Sequence, residues 1–140
     1  MRGDFPGYAE AMGMSNKIAA VKHLEDEARK AIANPNFIPY IQLHEFEGLL
    51  FAHERGFDYI HNIREQKRQV IRDIIIGYPN PELINDGAET APSKRLKGLI
   101  PRYKKTFHGP IIALENGLEP ILEKCPRFSG WVRTIIDAFT

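Results

Sequence analysis

His44-Glu45-Phe46-Glu47 sets one imidazole and two carboxylates directly after an apolar run, Phe37-Ile38-Pro39-Tyr40-Ile41-Gln42-Leu43. If that run is a strand, the acids stand at its carboxyl end, where α/β sheets open into a ligand crevice. Carboxylates there can hold Mg²⁺, or Mn²⁺ in its place, ions that take oxygen ligands and keep waters for a phosphate substrate. On a helix, His44 and Glu47 would share a face while Glu45 points elsewhere. The spacing suits a plainer arrangement as well: acids in a helix's first turn, favoured by its dipole, with His44 as a cap or a hydrogen-bonded wall. Asp4, in Asp4-Phe5-Pro6-Gly7, is either a turn former or a further metal ligand.

A second cluster is cationic. Between Glu89 and Glu115 there is no acid, and Lys94, Arg95, Lys97, Arg102, Lys104 and Lys105 fill the interval with Tyr103, Phe107 and His108. Lysines and arginines position a phosphate backbone, and an aromatic beside them offers a stacking surface. Ser93-Lys94-Arg95, if it opens a helix, could also present backbone N–H groups to an anion. A solvated face, or a docking surface for an acidic partner, is the alternative.

The elements that would carry these residues follow from periodicity. Ser15 offers an N-cap, and Ile18, Val21, Leu24, Ala28, Ala31 and Ile32 recur at helical spacing until Asn34-Pro35-Asn36. The apolar run over 37–43 is short and rich in aromatic and β-branched residues, the pattern of a strand covered on both faces. Phe46, Leu49, Leu50 and His53 return the period to helical. A helix over 63–76 turns Val70, Ile71, Ile74 and Ile75 inward, and Asn85-Asp86-Gly87 makes a turn. Thr90-Ala91-Pro92-Ser93 enters a short helix stopped by Pro101, and two or three more helices follow, divided by Gly109-Pro110, Gly117, Pro120 and Pro126. Trp131 sits on the last apolar stripe and reads as core.

The chain's 140 residues suit one domain, and 19 Lys and Arg against 18 Asp and Glu leave a net charge of only +1, so any attraction to nucleic acid must be local. One cysteine, Cys125, rules out an internal disulfide and reads as an inert thiol in a reducing compartment. No apolar run approaches the about 20 residues of a membrane span, and the start lacks a signal-peptide core, so a cytoplasmic protein is expected. One conflict stands out: a strand covered on both faces needs neighbours for its backbone hydrogen bonds, and no second convincing strand is present.

Five segments, in order, carry a family resemblance: Asp4-Phe5-Pro6-Gly7; Phe37 through Phe51; Pro81-Glu82-Leu83-Ile84-Asn85-Asp86-Gly87; Thr90-Ala91-Pro92-Ser93-Lys94-Arg95; and Lys124-Cys125-Pro126-Arg127-Phe128. Together they resemble a bacterial domain-of-unknown-function family, number 4276, placed among the Toprim-like proteins. The resemblance implies an α/β fold in which a leading Glu and a later acidic pair hold a divalent metal for cleaving or joining phosphodiesters. It also implies company with ATPases in phage-defence loci. Relatives carry a strand and a Glu-bearing turn before the Asp-Phe-Pro-Gly element, so the expectation is a single partial Toprim-like domain over 1–140, helix-rich, lacking its N-terminal segment. Its one buried strand would take partners from that segment or from another chain. On this reading Glu45 and Glu47, with Asp4, support a metal and His44 positions a water or phosphate. Ser93, Lys94, Arg95, Lys104 and Lys105 would hold nucleic acid. Full-length relatives would be Mg²⁺-dependent nucleases and this chain inactive alone. The alternative is a non-catalytic module that docks to an ATPase or dimerises through its unpaired strand.

Overall fold

A computed structural model of the chain describes residues 3–85 and 87–140. Met1, Arg2 and Asp86, the centre of the expected Asn85-Asp86-Gly87 turn, lie outside the described residues. In chain order the α-helices are α1 (Tyr8–Met12), α2 (Lys17–Ile32), α3 (Glu65–Gly77), α4 (Pro92–Leu99), α5 (Lys105–Asn116), α6 (Leu118–Lys124) and α7 (Pro126–Phe139). Three 3₁₀ segments, Phe46–Ala52, Glu54–Phe57 and Pro81–Leu83, join them. The α/β expectation is overturned: among the described residues there is no strand and no sheet. The chain divides into two compact units, residues 1–43 with 130–140 and residues 44–129.

In the first unit, α2 begins one residue later than its expected cap. Asn16, not Ser15, closes the N-terminus, its Oδ1 accepting from the Ile18 and Ala19 amides at 2.9 and 3.1 Å. Ala33 ends the helix in the left-handed region, with φ 50°. Ala20 and Leu24 bury against Ala11 of α1, with Phe5, Tyr8 and Ile41 packed around them. The opening residues contain the one-turn helix α1. Gly7 makes it possible: its φ is 72°, and a Cβ there would lie 2.7 Å from Glu27 Cγ.

Residues 37–43 form no strand, and two of their backbone groups are met by side chains rather than by a neighbouring strand. Glu25 Oε1 accepts from the Ile41 amide at 2.8 Å, and Trp131 Nε1 donates to the Ile38 carbonyl at 3.2 Å. Pro39 has no amide to offer a ladder. The segment is half-buried rather than covered on both faces, and Tyr40 stacks on Trp131 with ring centroids 5.0 Å apart. Trp131 is thus a half-buried packing residue.

The second unit is organised around Phe46–Ala52, in which every residue from Glu47 to Ala52 is buried. Leu50 and Phe51 sit at the centre of a core with Phe57, Ile71, Ile84, Leu96, Ile100 and Ile112. In α3, Ile71 and Ile74 face inward as expected, but Val70 is exposed. α5 runs through Gly109-Pro110, which was expected to break it; Gly109 is buried, its backbone close to Phe46 and Tyr103, while Pro110 faces out. The C-terminal end of α5 is stapled to the 3₁₀ segments. Asn116 donates from Nδ2 to the Leu50 carbonyl and accepts at Oδ1 from the Gly56 amide, both at 2.9 Å. Arg55 donates to the carbonyls of Glu115 and Asn116, two groups that the helix itself leaves unpaired. Only glycine fits at position 56, where a Cβ would lie 2.5 Å from the Ile112 carbonyl oxygen.

Candidate functional site

Pro92 opens α4 without an amide proton, which leaves the Ser93 amide as a donor in the helix's first turn. Glu45 takes it: Oε2 accepts from the Ser93 amide at 2.7 Å and Oε1 from Ser93 Oγ at 2.8 Å. The carboxylate expected to bind metal is therefore the cap of a helix 48 residues away in sequence. The amide expected to meet an anion is engaged by this chain's own acid.

Glu47 is 1% exposed and its Oε2 lies 2.9 Å from Lys105 Nζ, whose side chain remains 60% exposed. Tyr103 is close to both acids. Burial, then the charges of Glu47 and Glu45, push its phenol up to about 12, and its hydroxyl has no hydrogen-bond partner among the described residues. Its ring stacks on His108 at 5.6 Å. His44 is half-buried at the head of this cluster, and Asp4 is exposed in the other compact unit.

Among the described residues no three or more His, Cys, Asp or Glu side chains converge on a point where a cation could sit. Glu45 is thus held by Ser93 and Glu47 lies against Lys105.

A third acid, Glu82, escaped sequence reasoning. It is 1% exposed, and its two oxygens accept from the Arg127 and Phe128 amides at 2.9 and 3.1 Å. It does for α7, which opens on Pro126, what Glu45 does for α4. The proline starts of the two helices were the available signal; the distant acids gave none. Cys125, beside Glu82, is fully buried, and burial with that neighbouring charge pushes its thiol up to about 12, which keeps it in the thiol form at neutral pH.

The cationic interval divides into tethered and untethered groups. Arg95 donates from Nε to the Thr90 carbonyl at 2.7 Å and lies 5.4 Å over the Tyr78 ring, while Lys105 is paired with Glu47. Lys94 and Lys97 on α4, and Arg102 and Lys104 in the connection to α5, are exposed and make no ion pair or side-chain hydrogen bond among the described residues. Lys67 adds a cation beside the end of α4, donating to the Gly98 carbonyl. Arg102 has φ 56°, in a turn closed by the Tyr103 amide donating to the Ile100 carbonyl at 3.2 Å. Proline followed by a left-handed residue is a turn arrangement that ordinarily selects Gly or Asn at the second place. A bulky residue held there is uncommon. Tyr103, expected as a stacking aromatic, is partly covered; Phe107, 60% exposed, is the accessible ring.

These features define a helical protein in which Glu45, Glu47 and Glu82 are turned inward on caps and an ion pair while Lys94, Lys97, Arg102 and Lys104 face outward. The family model described as Domain of unknown function (DUF4276) matches residues 4–136, and the chain belongs to that family. The match by itself does not carry the Toprim-like assignment. No curated protein and no solved structure matches the chain. Among the described residues no helix is long and apolar enough to cross a membrane.

Proposed function

We propose that this chain binds the phosphate backbone of nucleic acid through Lys94, Lys97, Arg102 and Lys104. The carrying observation is that these four cations are exposed, unpaired among the described residues and grouped on α4 and the adjoining connection. Arg102, kept in a conformation its side chain disfavours, supports a binding role over a merely solvated face. Lys67 and the paired Lys105 extend the positive surface. The reading is one of binding, not cleavage: Glu45 and Glu47 hold helix and core, and no step is assigned to them or to a metal. Within a defence system of the kind the resemblance implies, such a module would present nucleic acid to an ATPase partner.

The test is fluorescence anisotropy with labelled duplex and single-stranded DNA and RNA across a salt series. Saturable binding should weaken with salt, and Lys94→Glu with Lys97→Glu should weaken it by about tenfold or more, the salt slope falling by about one for each phosphate no longer neutralised. Arg102→Gly should weaken binding while raising the melting temperature, because glycine suits the left-handed turn position. No saturable binding at low salt, or binding indifferent to these substitutions, would overturn the reading. Cutting of the probe on addition of Mg²⁺, abolished in Glu45→Gln, would replace it with a nuclease.

A further inference from the structure

α5 is apolar on two sides. Gly109, Ile112 and Asn116 are buried, and the opposite face presents Phe107, Pro110 and Leu114 to solvent, with Phe107 60% and Leu114 78% exposed. An exposed helix face ordinarily carries charge, yet from Thr106 to Leu114 there is no Asp, Glu, Lys or Arg. The charges stand at the two ends: Lys104 as the N-cap, Glu115 at the last turn. Eleven residues make about three helical turns, so Lys104 and Glu115 fall on nearly the same flank of the stripe, at opposite ends.

This pattern is self-complementary in one orientation. If two copies of α5 pack antiparallel about a two-fold axis near Pro110 and Ile111, Phe107 of each meets Leu114 of the other, and residues on a shared flank face each other across the seam. Lys104 of one copy then meets Glu115 of its partner, twice. A parallel pairing would carry this flank to opposite sides of the seam in the two copies and leave Lys104 and Glu115 with no opposite charge to meet, so the charges favour the antiparallel form. We infer that the outer face of α5 is a dimerisation surface whose occupant is the same face of a second copy. The seam is short, a helix of about 18 Å, which places the dimer among the smaller specific interfaces and makes it concentration-dependent. The inference does not rest on nucleic-acid binding, although Lys104 belongs to both surfaces and its charge would be shared between them in a dimer; it uses a different surface from the 37–43 segment.

Sedimentation equilibrium of the full chain over a concentration series tests it. The mass should rise from 16.0 kDa toward twice that value. Leu114→Asp removes a central anchor from an exposed position without disturbing the core, and should weaken association by about tenfold or more with an unchanged circular-dichroism melt. Glu115→Lys should weaken it through repulsion with Lys104, and combining it with Lys104→Glu should restore the dimer. A wild-type chain that stays at 16.0 kDa at every concentration would overturn the inference. So would a dimer that Leu114→Asp leaves intact, or a charge exchange that fails to restore association.

Discussion

Tyr103 shows how far the meaning of a residue depends on what surrounds it. In the sequence it is an aromatic amid lysines, suited to stacking on a base; in the fold it is partly buried beside Glu47 and Glu45, with a hydroxyl that has no hydrogen-bond partner among the described residues. An unpaired buried hydroxyl is a cost without a return, so Tyr103→Phe should leave stability at neutral pH equal or slightly raised. The alkaline limb follows from the direction of the shift. The folded-state phenol titrates near 12 against an ordinary 10.0, so the folded chain holds its proton over that interval while the unfolded chain gives it up. The associated stability is complete below about pH 10 and is lost as pH rises toward about 12. Tyr103→Phe should shrink this loss in urea titrations across that range. Cys125, raised from 9.0 to about 12, adds a second loss over a wider interval and remains in the variant. An alkaline decline identical in wild type and Tyr103→Phe would refute the assignment.

At the scale of elements, what holds the second unit together is polar and long-range. Asn116 joins the end of α5 to Leu50 and Gly56, and no periodicity foretells it, because its partners lie 66 and 60 residues away. Asn116→Ala would leave a buried carbonyl and a buried amide unpaired, and should destabilise the chain by about 2–4 kcal/mol in denaturant unfolding. A destabilisation below the error of the extrapolation would show that water reaches both groups. The same distance explains which parts of the candidate site were legible. Local signals worked: helical spacing located α2 and α4, the proline starts marked α4, and the acid-free interval marked the cationic surface. The caps Glu45 to Ser93 and Glu82 to Arg127 span 48 and 45 residues, and a sequence cannot distinguish such an acid from one awaiting a metal. The Gly109-Pro110 break was misread for a related reason. The expected stop was local, whereas α5 is held on its buried side by packing and by the Asn116 staple, so the amide missing at Pro110 falls on the exposed face.

At the scale of the whole molecule, the decisive misreading was residues 37–43, since the α/β expectation rested on that one segment. Apolar, aromatic and β-branched residues describe any chain segment that packs on a hydrophobic surface; they do not say whether its backbone finds a ladder. Here α2 supplies both the surface and, through Glu25, a hydrogen-bond acceptor, while α7 supplies Trp131. The lack of a second strand signal therefore agrees with a fold that has no sheet among the described residues. If Glu25 fixes the segment, Glu25→Leu should remove its anchor by taking away a charge-assisted bond to the Ile41 amide, at a cost of about 1.5–3 kcal/mol. Trp131 is the chain's one tryptophan, stacked on Tyr40 of the same segment, so its fluorescence reports this unit. Glu25→Leu should lower the fluorescence-detected melting temperature and shift the folded-state emission toward that of exposed tryptophan, with the far-UV spectrum remaining helical. If the variant keeps the wild-type emission and melt, the segment is held by apolar packing alone, and the side-chain account of why it forms no sheet fails.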